Sequence, residues 1–121
     1  MHQAAKAYGK VSNTTASPRE LEANLLLRAA AQLQTIHDTW ESSGPKLNEA
    51  LAFNRRLWSI FLASVVEADH PLPREVRQNI ANLGVFVMNQ TLSLMSEPRV
   101  EKLGSLININ REIASGLMGR G

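Results

Sequence analysis

The chain has 121 residues, 44% of them hydrophobic and 20% charged, and its thirteen basic and eleven acidic side chains leave a net charge of +2. That composition fits a globular protein and not a disordered one, with enough chain to bury about two-thirds of its unfolded surface. The absence of Cys removes disulfides and thiolate metal sites, and the longest apolar run, residues 57–66, is too short to span a bilayer.

Residues 1–16 carry little periodic apolar signal. Met1-His2-Gln3-Ala4-Ala5-Lys6 lacks the apolar core of a secretory signal, so the cytoplasm is the expected location. A loosely held tail is expected here, with Ala4 to Tyr8 able to form a short helical turn. The alternative has Tyr8 packing into a groove until a partner displaces it.

Ser17-Pro18-Arg19-Glu20 starts the first helix. Ser17 caps, Pro18 suits the first helical position, and Glu20 stands three residues beyond the cap, as a capping box requires. Leu21, Leu25, Ala29, Leu33, Ile36 and Trp40 follow at steps of three and four, with Leu26 and Leu27 widening the face. Ser42-Ser43-Gly44-Pro45 is the expected stop.

The second helix is expected from about Lys46 to Ala68. One stripe holds Leu47, Leu51, Trp58, Phe61, Leu62 and Val65, and a second strip beside it holds Phe53, Leu57 and Ile60. A surface helix of a small domain usually shows one such stripe, so this helix is either central to the core or offers a second face to a partner. Asn54 is embedded in the main stripe and is followed by Arg55 and Arg56.

Two prolines in Asp69-His70-Pro71-Leu72-Pro73 impose an extended linker, and Pro73 opens the third helix. That helix aligns Val76, Ile80, Leu83, Val87 and Leu94, flanked by Phe86, Met88 and Met95. Gly84 in its middle costs about 1 kcal/mol against Ala, for which a close helix crossing is the usual compensation. The last helix, from about Arg99 to Leu117, aligns Leu103, Leu106, Ile107, Asn110, Ile113, Ala114 and Leu117; Gly104 invites a break, with Ser105 as a new cap. Short connections favour antiparallel neighbours. The expected fold is therefore all-α, an up-down antiparallel bundle of about four helices in one domain over residues 17–121, preceded by the loosely ordered tail.

Chemistry has little to stand on. His2, His37 and His70 lie apart without a second ligand at i+3 or i+4, and no glycine-rich loop precedes a helix that could cradle phosphate. Neither a metal, a cofactor nor a catalytic centre is expected. Asn54 and Asn110 in apolar stripes must find hydrogen-bond partners, either within the bundle or on the backbone of a bound peptide. Nine of the thirteen basic residues are Arg, and they come in pairs, not runs. Arg55-Arg56 and Arg74/Arg77 read as solvated faces, as the rim of an apolar groove, or as contacts to RNA phosphates.

Four blocks resemble the flagellar biosynthesis regulator FlaF family. They are Ser17-Pro18-Arg19-Glu20-Leu21-Glu22, Leu51 to Trp58 ending Phe53-Asn54-Arg55-Arg56-Leu57-Trp58, Leu72-Pro73 leading to Arg77-Gln78-Asn79-Ile80-Ala81, and Leu106-Ile107-Asn108-Ile109-Asn110-Arg111 continuing to Ala114-Ser115-Gly116-Leu117. The resemblance implies a cytoplasmic, non-enzymatic helper of flagellum assembly. It would bind flagellin as a secretion chaperone and act with the regulator FlbT in flagellin synthesis; it supplies no binding map. A small bundle with surplus apolar surface can hold an amphipathic helix in a groove. Leu26, Phe53, Leu57, Ile60 and Phe86 are expected to line it beside Asn54, with Arg55, Arg56 and Arg77 at its rim. Self-association is a rival use of the same surface. Direct binding of the flagellin message is the alternative function, against which the near-zero net charge argues; membrane insertion is not expected.

Overall fold

The computed structural model describes residues 17–119, and the expectations placed on the tail, His2 and Tyr8 among them, lie outside it. Among the described residues four helices and no strand occur: α1 (Pro18–Asp38), α2 (Gly44–Val65), α3 (Arg74–Ser96) and α4 (Leu103–Leu117). Short 3-10 turns, Trp40–Ser42 and Val100–Lys102, precede α2 and α4.

The ends follow local chemistry. Ser17 Oγ accepts from the Glu20 N–H at 3.1 Å, and the Glu20 carboxylate accepts from the Ser17 N–H at 2.9 Å, completing the capping box. α1 stops at Asp38, before the expected Ser42, and Trp40 turns off it in the 3-10 segment. The buried Ser43 Oγ donates to the Ile36 carbonyl at 3.1 Å and fixes the corner between α1 and α2. α2 ends three residues short of Ala68, and Pro73 caps α3 without entering it. α4 runs through Gly104 without the anticipated break; Ser105 Oγ donates back to the Lys102 carbonyl and is no cap.

Consecutive helices are antiparallel. Phe53 and Ala50 of α2 meet Gln32 and Ile36 of α1, Gly84 of α3 meets Leu62 of α2, and Gln90 of α3 donates to Ser105 of α4 at 3.4 Å. The interface of α1 with α4 is the most extensive and closes the bundle, whereas among consecutive helices that between α3 and α4 is the sparsest.

Leu26, Leu33, Leu51, Trp58, Val87, Leu94, Leu103 and Leu106 are sealed in the core. Trp58 packs edge-on against Phe61, ring centroids 5.5 Å apart. On α1 the buried face is Ala23, Leu26, Ala30, Leu33 and Ile36, which leaves Leu21 and Leu25 at 45% and 40% exposure, contrary to the face expected from spacing. The small residues Ala23, Ala29 and Ala30 let a neighbouring helix approach closely, and that proximity turns the two leucines outward.

Candidate partner-binding surface

Helical spacing places Phe53, Leu57 and Ile60 along one flank of α2, and the contacts of Phe53 identify that flank as the one facing α1. Phe53 lines an open furrow of about 480 Å³ with Gln32, Thr35 and Ile36 of α1 and Lys46, Glu49 and Ala50 of α2. The Arg28 guanidinium lies over the Phe53 ring, 5.6 Å from its centroid, within cation–π range. Phe53 and Leu57 are half-buried and Ile60 is 63% exposed. Across the seam, Leu21, Leu25, Arg28 and Gln32 follow at steps of four, three and four, so the exposed Leu21 and Leu25 continue the α1 wall past Phe53. The furrow itself, from Lys46 to Phe53, is mixed in character, and apolar side chains continue along the same helix flanks toward Ile60.

The other expected site residues do not join it. Leu26 is 1% exposed and belongs to the core. Asn54 is fully buried, so its amide does not reach a partner. It accepts at Oδ1 from Asn110 Nδ2 at 2.7 Å, while Asn110 Oδ1 accepts from Trp58 Nε1 at 2.8 Å. The chain of bonds ties α2 to α4 and leaves Asn54 Nδ2 buried with no acceptor. Arg77 is no rim: it donates to the carbonyls of Val65 (3.2 Å), Glu67 (2.8 Å) and Leu72 (3.2 Å), clasping the turn between α2 and α3. Phe86 lies three residues past Leu83 and four before Gln90, both of which face α4. It therefore flanks a different cleft, of about 320 Å³, whose lining includes Val76, Leu83, Ile113 and Leu117.

Arg55 and Arg56 are both exposed, but one position on a helix is about 100° of rotation. Arg56 stands three residues from Phe53 and four from Ile60, on the solvent side of that flank, whereas Arg55 lies on the flank toward α3. Sequence reasoning missed Arg28, Leu21 and Leu25. The signal was present in their spacing, but which neighbour α1 presses most closely decides whether those leucines are core or surface.

Acid–base features are few. Burial pushes the Glu22 carboxyl up, partly opposed by His70 and Arg19. Hydrogen bonds from His37 and Gln34 hold the Asp38 carboxyl below its ordinary value. His37 Nδ1 and Asp38 Oδ1, on adjacent residues at the end of α1, lie 3.0 Å apart. Among the described residues no group of three or more His, Asp or Glu could hold a metal, and no helix is long and apolar enough to cross a membrane.

Compared with known families, the sequence matches Flagellar protein FlaF over residues 4–117, nearly its full length. The chain belongs to the FlaF family. FlaF is a flagellar family and not a known family of enzymes, which assigns the chain a role in flagellar biogenesis. Comparison with curated proteins yields no match, and comparison with solved structures yields none either. In this FlaF chain the likeness noted at Phe53-Asn54-Arg55-Arg56-Leu57-Trp58 falls on the stretch of α2 that contributes both to the core and to the furrow wall.

Proposed function

We propose that this FlaF-family chain is a cytoplasmic, non-enzymatic secretion chaperone for flagellin, binding an amphipathic helix of the flagellin subunit and promoting flagellin synthesis together with FlbT. The observation that carries this reading is the α1–α2 seam, where Leu25, Leu57 and Ile60 keep apolar surface beside an open furrow. From Lys46 to Ile60 the seam runs about 21 Å at the helical rise, close to four turns of an incoming helix. Such a helix anchors through residues at i, i+3 or i+4, and i+7. FlbT enters through family resemblance alone, and no residue is assigned to it.

The test is titration of purified flagellin against the wild-type chain and an Ile60→Asp variant. Because Ile60 is 63% exposed, the variant is expected to fold and to lose at least about tenfold in affinity, since burying an unpaired carboxylate costs more than 1.4 kcal/mol. Val85→Asp, at a 62% exposed position of α3, is the matched control and is expected to bind normally. Equal affinity of wild type and Ile60→Asp would remove the seam from the flagellin contact. Loss of self-association, and not of flagellin binding, in Ile60→Asp would assign the apolar surface to a second copy.

A further inference from the structure

Two arginines near the apolar stretch of the α1–α2 seam, Arg28 by contact with Phe53 and Arg56 by helical position, have no carboxylate partner. Among the described residues the ion pairs are His37–Asp38, Arg99–Glu97 and Lys102–Glu97, none of which involves Arg28 or Arg56. Arg28 rests on the Phe53 ring from the α1 side, and Arg56, exposed and three residues past Phe53 on α2, lies within side-chain reach of a helix laid over that ring. The polar end of the furrow differs, because Lys46 and Glu49 offset each other there. In a chain whose charges sum to only +2, two uncompensated cations on one apolar seam are a local excess with a direction.

We infer that the furrow selects an amphipathic helix whose apolar stripe is flanked by carboxylates, with Arg28 and Arg56 reading the acidic flanks. The inference rests on the helix-binding proposal above and specifies the chemistry of the bound helix. Apolar anchors cover Leu57 and Ile60, and the guanidinium of Arg28 leaves the Phe53 face for a carboxylate as the ring is covered. Arg56 meets a second carboxylate on the opposite edge of the same helix. Basic flanks are rejected, since like charges held together in the seam repel. A nucleic acid would use the arginines but leave the apolar floor between them without a role, because its affinity comes mainly from phosphates.

Two synthetic helical peptides of about 18 residues, long enough to fill the seam at the helical rise, test the inference with the full chain. Both carry Leu at anchor spacing; one has Glu at the flanking positions and the other Gln. By fluorescence anisotropy at low salt the Glu peptide is expected to bind roughly fivefold to tenfold more tightly, the scale of two exposed ion pairs. That advantage should vanish at about 1 M salt and in Arg28→Gln/Arg56→Gln, while the Gln peptide binds the double variant as before. Arg56→Gln alone, at an exposed position with no recorded partner, is expected to lose about threefold for the Glu peptide only. Ile60→Asp should weaken both peptides. Equal binding of the two peptides by wild type overturns the charge reading and leaves helix binding standing. Failure of both to bind overturns the two together. Glu-peptide binding that survives Ile60→Asp, or tighter binding of an RNA oligonucleotide lost in the same double variant, also overturns it.

Discussion

Trp58, Asn110 and Asn54 form a chain of donors and acceptors that runs one acceptor short. Each hydrogen bond in it is made in the buried interior, where it gains strength and a missing partner costs roughly 1–3 kcal/mol. Asn110→Leu strands the Trp58 N–H and the Asn54 Oδ1, so a loss of about 2–4 kcal/mol is expected in urea unfolding. Asn54→Leu removes the orphan donor but strands Asn110 Nδ2, and the double Leu variant should lose less than the sum of the two singles. The cycle isolates that coupling. Glu22 gives the matching test by pH. Its raised value means the protonated form suits the fold better than the ionised form. The associated stability is present in full below the ordinary carboxylate value of about 4.3 and is lost as pH rises through the raised one. Glu22→Gln should therefore shift the urea midpoint upward at pH 7 and leave it unchanged near pH 3. That both asparagines lie in apolar stripes was legible from spacing; that they bond each other across α2 and α4 was not, because a helical wheel carries no information about the partner helix.

At the level of helices, the contact of α2 with α3 is set by a hydrogen atom where other residues carry carbon. A Cβ on Gly84 would stand 2.7 Å from Leu62 Cδ1 and 2.9 Å from Cγ, well inside van der Waals separation. Ala at this position gains about 1 kcal/mol of helix propensity and loses about 1–3 kcal/mol to overpacking. Gly84→Ala is expected to lower the thermal midpoint, and adding Leu62→Ala should return part of that loss. The close crossing was readable from a glycine within an apolar helix, because a glycine there needs a compensating reason. The ends of the helices were less readable. α2 stops at Val65 because Arg77 gathers the carbonyls of Val65, Glu67 and Leu72, a contact from the following helix that no local cap signal announces. Arg77→Met keeps the stem and removes those bonds, and about 1–3 kcal/mol of stability should go with them.

Across the whole molecule, the surplus of apolar residues anticipated on α2 is real but divided among seams. Phe53 lines the furrow with α1, and Leu57 and Ile60 follow it on the same flank of α2, while Phe86 stands by helical position beside the cleft between α3 and α4. Spacing reveals which residues share a flank of one helix; assembling flanks into a groove requires the crossing of helices, which is a property of the folded bundle. Ile60→Asp should accordingly change the urea midpoint little, within about 0.5 kcal/mol, separating the surface from the core. The sparse seam between α3 and α4, with its 320 Å³ apolar cleft, has a kinetic consequence. α4 is held mainly by α1 and only sparsely by α3, so backbone amides of α3 facing that cleft should take up deuterium sooner than those at the α1–α4 contact.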